Sequence, residues 1–246
     1  MTSWGWRIPF LLALPFGAVG LYIRWKLDET SEFLALAEQG QVAKSSIRDT
    51  LRSSGRVILS IAAISAFQNV GYYTAYAYFS GYMHRLGFGA GAVSTATTVT
   101  LIVAAASVPV FGRLSDAIGR RKILLAASGT ALVVTVPLFA LMGTLGYGGV
   151  LVCQIVLALT VAAYNSTTSA TYAEMSEART RAGSVTIGFN LGSLIFAAPT
   201  LYVMTLIETK FSVSWAPGIY MAIAALISVV AVVGMSRSSL GRAVHQ

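Results

Sequence analysis

Gly112-Arg113-Leu114-Ser115-Asp116-Ala117-Ile118-Gly119-Arg120-Arg121-Lys122 lies between two apolar runs, each long enough to cross a bilayer as a helix. Four cationic side chains in so short a turn are expensive to carry through hydrocarbon. The turn is therefore expected to join two membrane-spanning helices on their cytoplasmic side.

Composition places the rest of the chain in the same class. Residues of the apolar set make up 56% of the 246, and only 11% are charged, against about 25% in a soluble domain. The mean hydropathy is +0.72. The net charge of +8 does not point to nucleic acid, because the basic residues gather in loops between apolar spans, as membrane topology demands. Cys153 is the single cysteine and sits within an apolar run, so neither a disulfide framework nor a cysteine metal site is available. It reads as a small core residue.

Hydropathy windows give seven spans, roughly 8–24, 57–82, 92–111, 123–142, 150–173, 183–207 and 218–235. They are long and apolar on most faces, unlike the short alternating segments of a barrel. The fold class is an all-α polytopic membrane protein. Arg24, Lys26, Lys44, Arg48, Arg52, Arg56, Arg113, Arg120, Arg121, Lys122, Arg179, Arg181, Arg237 and Arg242 fall on one side of these spans. Arg7, Arg85 and Lys210 fall on the other. A split of fourteen to three sets the N-terminus outside and the C-terminus in the cytoplasm.

The expected organisation is an isolated transmembrane helix at 1–25, a cytoplasmic linker at 26–56, a six-helix bundle at 57–235 and a cytoplasmic tail at 236–246. The linker mixes both charge signs with weak periodicity, as a solvated connection does. Residues 1–6 make a poor signal-peptide n-region. A first span that starts outside with no helix before it reads as the back part of something longer.

Two sets of residues are candidates for function. In the basic turn, Gly112 and Gly119 suit close helix approach or a sharp reversal, and Asp116 suits the positive end of a helix. Arg120 and Arg121 can hydrogen-bond carboxylates or helix-end carbonyls. Such a cluster would latch the cytoplasmic face; simple positive-inside anchoring is the alternative.

The second set consists of polar stripes within the spans. Asn69, Tyr72, Tyr73 and Tyr76 share one helical face, whereas Tyr78 and Tyr82 point elsewhere, Tyr82 as an interfacial aromatic. Gln154, Ala158, Val161, Asn165, Thr168 and Tyr172 recur at spacings of three and four. Gly183, Thr186, Asn190, Ser193 and Ala197 share a face opposite Gly188 and Gly192, whose spacing suits tight helix packing. Pro199 is expected to bend that helix. These polar stripes line a pathway or form interhelical seams; the pattern alone leaves both open.

No carboxylate, lysine or arginine lies at the centre of a span. His84 and His245 have no carboxylate or thiol cluster nearby, so neither a metal nor a catalytic role is expected, and Gly87-Phe88-Gly89-Ala90-Gly91 lacks the strand that a nucleotide site needs. Seven spans with this orientation also describe a membrane receptor, although a retinal-binding one fails for want of a lysine in 218–235.

Trp4-Gly5-Trp6-Arg7-Ile8-Pro9-Phe10-Leu11-Leu12-Ala13-Leu14-Pro15, with Tyr22-Ile23-Arg24 and Leu27-Asp28-Glu29-Thr30, resembles the sixth helix and following loop of the metabolite:proton symporters of the major facilitator superfamily. Gly112 to Asp116 with Gly119-Arg120-Arg121 is similar to that superfamily's signature turn. Gly188-Phe189-Asn190-Leu191-Gly192 and Ala216-Pro217-Gly218-Ile219-Tyr220 are similar to segments of its last two helices.

The resemblance implies a secondary transporter of the inner (plasma) membrane, moving a small polar metabolite such as an organic acid or betaine. It implies no cofactor beyond a coupling proton. It also implies twelve helices in two halves, of which this chain carries the sixth helix and the second half. The partners implied are the lipid bilayer, the small-molecule substrate and a missing N-terminal half, against which Asp116 would act and which would carry the proton-coupling group. An inactive truncated product is the other outcome that such a chain allows.

Overall fold

A computed structural model describes residues 7–26, 47–211 and 215–235, and no strand occurs among them. The chain divides into two units, Met1–Lys44 and Ser45–Gln246. In the first, helix α1 (Ile8–Lys26) runs for 19 residues with Pro15 inside it and Arg24 and Lys26 in its last turn, where they complement the helix dipole. Its length is about 28 Å at 1.5 Å per residue. The tail at 236–246 and linker residues 27–46 lie outside the described residues.

The second unit consists of α2 (Ile47–Tyr72), a π-helical turn Tyr73–Tyr78, α3 (Phe79–Arg85), α4 (Ala90–Ile118), α5 (Arg120–Met142), α6 (Tyr147–Met175), α7 (Arg181–Gly192), a second π-helical turn Ser193–Ala197, α8 (Ala198–Phe211) and α9 (Ala216–Gly234). Six segments here are long and apolar enough to cross a membrane: Thr50–Arg85, Ala90–Ile118, Arg120–Met142, Tyr147–Met175, Arg181–Lys210 and Ala216–Gly234. Against the seven spans expected, six meet that measure among the described residues, and α1 lies in the other unit.

Helix α2 begins at Ile47, well before the expected boundary at 56/57. Exposed Arg52 and Arg56 lower the hydropathy of this stretch, but Thr50 and Ser54 on its other face are buried, so the stretch folds as a helix. Ser54 marks a kink (φ −116°, ψ 16°), and its hydroxyl lies 2.9 Å from that of Thr180.

The bundle is built around α2. Ile61, Ile64, Phe67 and Val70 are fully buried, with the Phe67 and Tyr164 rings edge to face at 5.0 Å. Tyr164 donates to the Ile64 carbonyl (2.9 Å), and Ser228 of α9 accepts from the Phe67 amide (3.0 Å), which ties α6 and α9 to the α2 backbone. Gly188 and Gly192 press α7 onto α2: a Cβ on Gly188 would stand 2.9 Å from the Ile58 oxygen, and one on Gly192 2.9 Å from the Ala62 oxygen.

One aromatic expectation is revised. Tyr82 is 1% exposed, packed on Phe79 and Phe139 rather than lying at an interface, because its helix turns that face to the core. A π turn, Ser193–Ala197, ends two residues before Pro199, and such a turn is a recognised cause of a helix bend.

Candidate functional site

A cavity of about 400 Å³ opens beside the two π turns, lined by Gln68, Asn69, Tyr72, Tyr73, Asn165, Phe189, Ser193 and Ala197. Its volume falls in the range of small-molecule sites, and none of its lining side chains carries a charge. It draws on α2 and its π turn, on α6, and on α7 and its π turn. The spacing of Asn69, Tyr72 and Tyr73 brings them to one side of α2; Tyr72 is half exposed and its ring meets those of Tyr73 at 5.7 Å and Tyr76 at 5.1 Å.

The amides here are arranged with little freedom. Asn69 donates to the Ser65 carbonyl (3.0 Å) and accepts from the Ser193 hydroxyl (3.2 Å), so both ends of its side chain are engaged. Gln68 accepts from the Tyr172 phenol at 2.7 Å. Asn165 reaches the cavity with its Oδ1 buried and unpartnered among the described residues.

Of the eight residues expected along a pathway, Asn69, Tyr72, Tyr73 and Asn165 therefore meet at one cavity. Tyr76 is adjacent, in ring contact with Tyr72, but is not a lining residue. Gln154 is buried in the seam between α6 and the first π turn, donating to the Ala75 carbonyl at 3.4 Å. Thr168 is fully buried and bonds back to the Asn165 carbonyl. Neither lines the cavity. Asn190 lies on an exposed face of α7, bonded to the Thr186 carbonyl of its own helix.

Gln68, Phe189, Ser193 and Ala197 line the cavity without having been singled out as sites. Ser193 and Ala197 were on the polar face of the sixth expected span; Gln68 adjoins Asn69, and nothing local marks it.

The basic turn is a staple within the unit. Gly119 alone connects α4 to α5, and its φ of +100° is one that other residues rarely adopt. Arg120 is 2.7 Å from Glu174 at the end of α6 and 3.3 Å from Asp116 one turn back. Arg121 donates to the Val233 carbonyl (2.8 Å) in the last turn of α9, a favourable place for a cation. Gly112 neither turns nor meets a neighbour: it is inside α4, and beyond its own helix backbone and chain neighbours no described atom lies within 4 Å of where its Cβ would be. The Asp116 side chain stays 68% exposed.

At the opposite end of the bundle is a cluster that the sequence did not reveal. Glu208 of α8 accepts from Arg85 Nη2 (2.6 Å) and Nε (3.0 Å) and from the Tyr78 phenol, and the guanidinium lies over the Tyr78 ring at 5.1 Å. Between this cluster and the cavity, Thr74 meets Met204 at 3.3 Å. The span that forms one wall of the cavity, Thr50–Arg85, is thus joined to Arg181–Lys210 at three levels.

Six helical spans with an uncharged, amide- and tyrosine-lined cavity between them describe a polytopic membrane protein. The Major Facilitator Superfamily model matches residues 1–197, and the chain belongs to that superfamily.

The chain is 26% identical to the ectoine/proline transporter ProP of Corynebacterium glutamicum over 250 residues, covering 97% of this chain and 50% of that protein. It is 28% identical to a putative proline/betaine transporter of Staphylococcus aureus (98% and 52% covered) and 27% identical to the proline/betaine transporter of Escherichia coli (96% and 49%). The chain spans about half the length of these relatives. No solved structure matches it.

Proposed function

We propose that the six-span unit forms the substrate-facing half of an alternating-access carrier for a small zwitterion of the betaine or proline kind, driven by proton symport. The observation that carries this reading is the cavity. Tyr72 and Tyr73 offer ring faces to a quaternary or secondary ammonium, and amide and phenol groups offer hydrogen bonds to a carboxylate. The names of the relatives, which specify proline, betaine and ectoine, agree with that chemistry.

The exposed face of α7 supports a second helical half as partner. Asn190 and Thr186 are exposed within the first third of the Arg181–Lys210 span, where an amide facing lipid is unfavourable and a covering helix or a water-filled path satisfies it. Asp116, mostly exposed, would meet that partner at the basic end and complete a latch there. The coupling carboxylate would come from the partner, since none lines this cavity. The loop charges favour a plasma-membrane protein with its basic end towards the cytoplasm and its N-terminus outside.

Proton-driven uptake of labelled glycine betaine into vesicles tests the reading. The chain by itself is expected to give none, and co-expression with the first five spans of a relative to restore it. Uptake by the chain alone would overturn the need for a partner, and failure of restoration would overturn the carrier reading. In the restored system Asn165→Ala is expected to raise the apparent KM about threefold to tenfold, the equivalent of one hydrogen bond. An unchanged KM would remove Asn165 from the site.

A further inference from the structure

Tyr172 is 3% exposed, and its phenol donates to Gln68 Oε1 across the α2–α6 contact at 2.7 Å, its one partner among the described residues. A carboxamide presents an acceptor oxygen on one side and two N–H donors on the other, so its orientation decides which kind of ligand group it receives. Reversing the Gln68 amide would leave the buried phenolic hydrogen without an acceptor, which is unfavourable. The carbonyl is therefore held against Tyr172, and the NH₂ is left for the cavity that Gln68 lines, with no partner there among the described residues. The neighbouring amide of Asn69 is already engaged at both ends.

We infer that Tyr172 is a positioning residue: by fixing the Gln68 amide it makes Gln68 receive the carboxylate end of a zwitterion rather than its ammonium end. The inference rests on the carrier reading above and adds to it the residue that sets selectivity. Tyr172 touches no ligand itself. It acts through Gln68.

The test uses the full chain in lipid nanodiscs, with binding of glycine betaine and of choline followed by saturation-transfer NMR. Choline keeps the trimethylammonium group and replaces the carboxylate with a hydroxyl. The wild type is expected to prefer betaine. Tyr172→Phe is expected to weaken betaine about fivefold to tenfold and to leave choline within about twofold, on the scale of one charge-assisted hydrogen bond. Gln68→Leu should reproduce that loss, and the double variant should add nothing to it.

Gln68→Glu leaves the phenol its acceptor and presents a carboxylate to the cavity, so it is expected to reverse the preference toward choline; this variant answers the question even where Tyr172→Phe fails to fold. Equal weakening of both ligands by Tyr172→Phe would mean a purely structural role and overturn the inference, as would a betaine preference that survives Gln68→Glu. Those outcomes leave the carrier reading standing. A wild type that binds neither ligand overturns the inference, while the carrier reading is decided by the restored uptake.

Discussion

Gly192→Leu is expected to abolish the folded six-span unit, and Gly192→Ala to destabilise it by about 1–3 kcal/mol, the usual effect of overfilling a packed contact. A Cβ built at Gly192 falls 1.8 Å from Ser65 Oγ, 2.9 Å from the Ala62 oxygen and 3.2 Å from the Ala62 Cα. The Ser65 hydroxyl is itself bonded to the Ala62 carbonyl at 2.8 Å, so turning it away gives up that bond and still leaves the two backbone contacts. Helices α2 and α7 would have to separate. Inside a bilayer the hydrophobic effect does not drive helices together, and close packing is a main source of their association, so separation is felt in full.

Gly188, facing the Ile58 oxygen and the Ile61 Cβ at 2.9 Å each, is expected to behave alike on replacement by alanine. Gly112→Ala is the control: helical, with open space around the new methyl, it is expected to gain about 0.5–1 kcal/mol. Unfolding of the purified chain by titration with sodium dodecyl sulfate, followed by circular dichroism, measures all four. A Gly192→Ala chain that unfolds with the wild type would show that the α2–α7 seam contributes little.

The contrast between Gly112 and Gly119 shows what the sequence carried and what it did not. Both belong to one motif, and a list of residues cannot say which takes a positive φ; only Gly119 does. Apolar runs were legible because the bilayer sets their length, and the reading went astray where charge masked a helix, at residues 47–56.

The cavity was half legible. Asn69, Tyr72, Tyr73 and Asn165 were visible as polar groups on regular helical faces, but the same reasoning chose Gln154 and Thr168, which are polar groups in seams. Periodicity reports that a face is polar without reporting which neighbour it meets. Gln68 was overlooked because its significance lies in a bond to Tyr172, 104 residues away. The Arg85–Glu208 pair was missed for the same reason, its members being 123 residues apart at the ends of two spans.

Glu208→Ala is the second substitution with a large expected effect, a loss of about 2 kcal/mol. Exposed ion pairs contribute about 0–1 kcal/mol. This one is stronger on three counts: the carboxylate takes two guanidinium hydrogens, it accepts the Tyr78 phenol as well, and its side chain is only 17% exposed. The 39% exposure of the Arg85 side chain lets water recover part of that arginine's hydration and keeps the loss below the 3–5 kcal/mol of a buried pair broken on one side.

Glu208→Gln, which keeps an acceptor oxygen but removes the charge, should lose about half as much. The double variant Arg85→Ala with Glu208→Ala should be more stable than the sum of the single losses by about 1 kcal/mol or more, because each single variant strands the other's partner. Strict additivity would mean that the two residues stabilise the fold independently and that the contact is incidental. Hydrogen exchange locates the effect: amides of α3 and α8 should exchange faster in Glu208→Ala, while those of α2 and α7 near Gly188 and Gly192, held by backbone packing, should not change. Equal acceleration along both spans would show that the pair stabilises the bundle as a whole rather than clamping its far end.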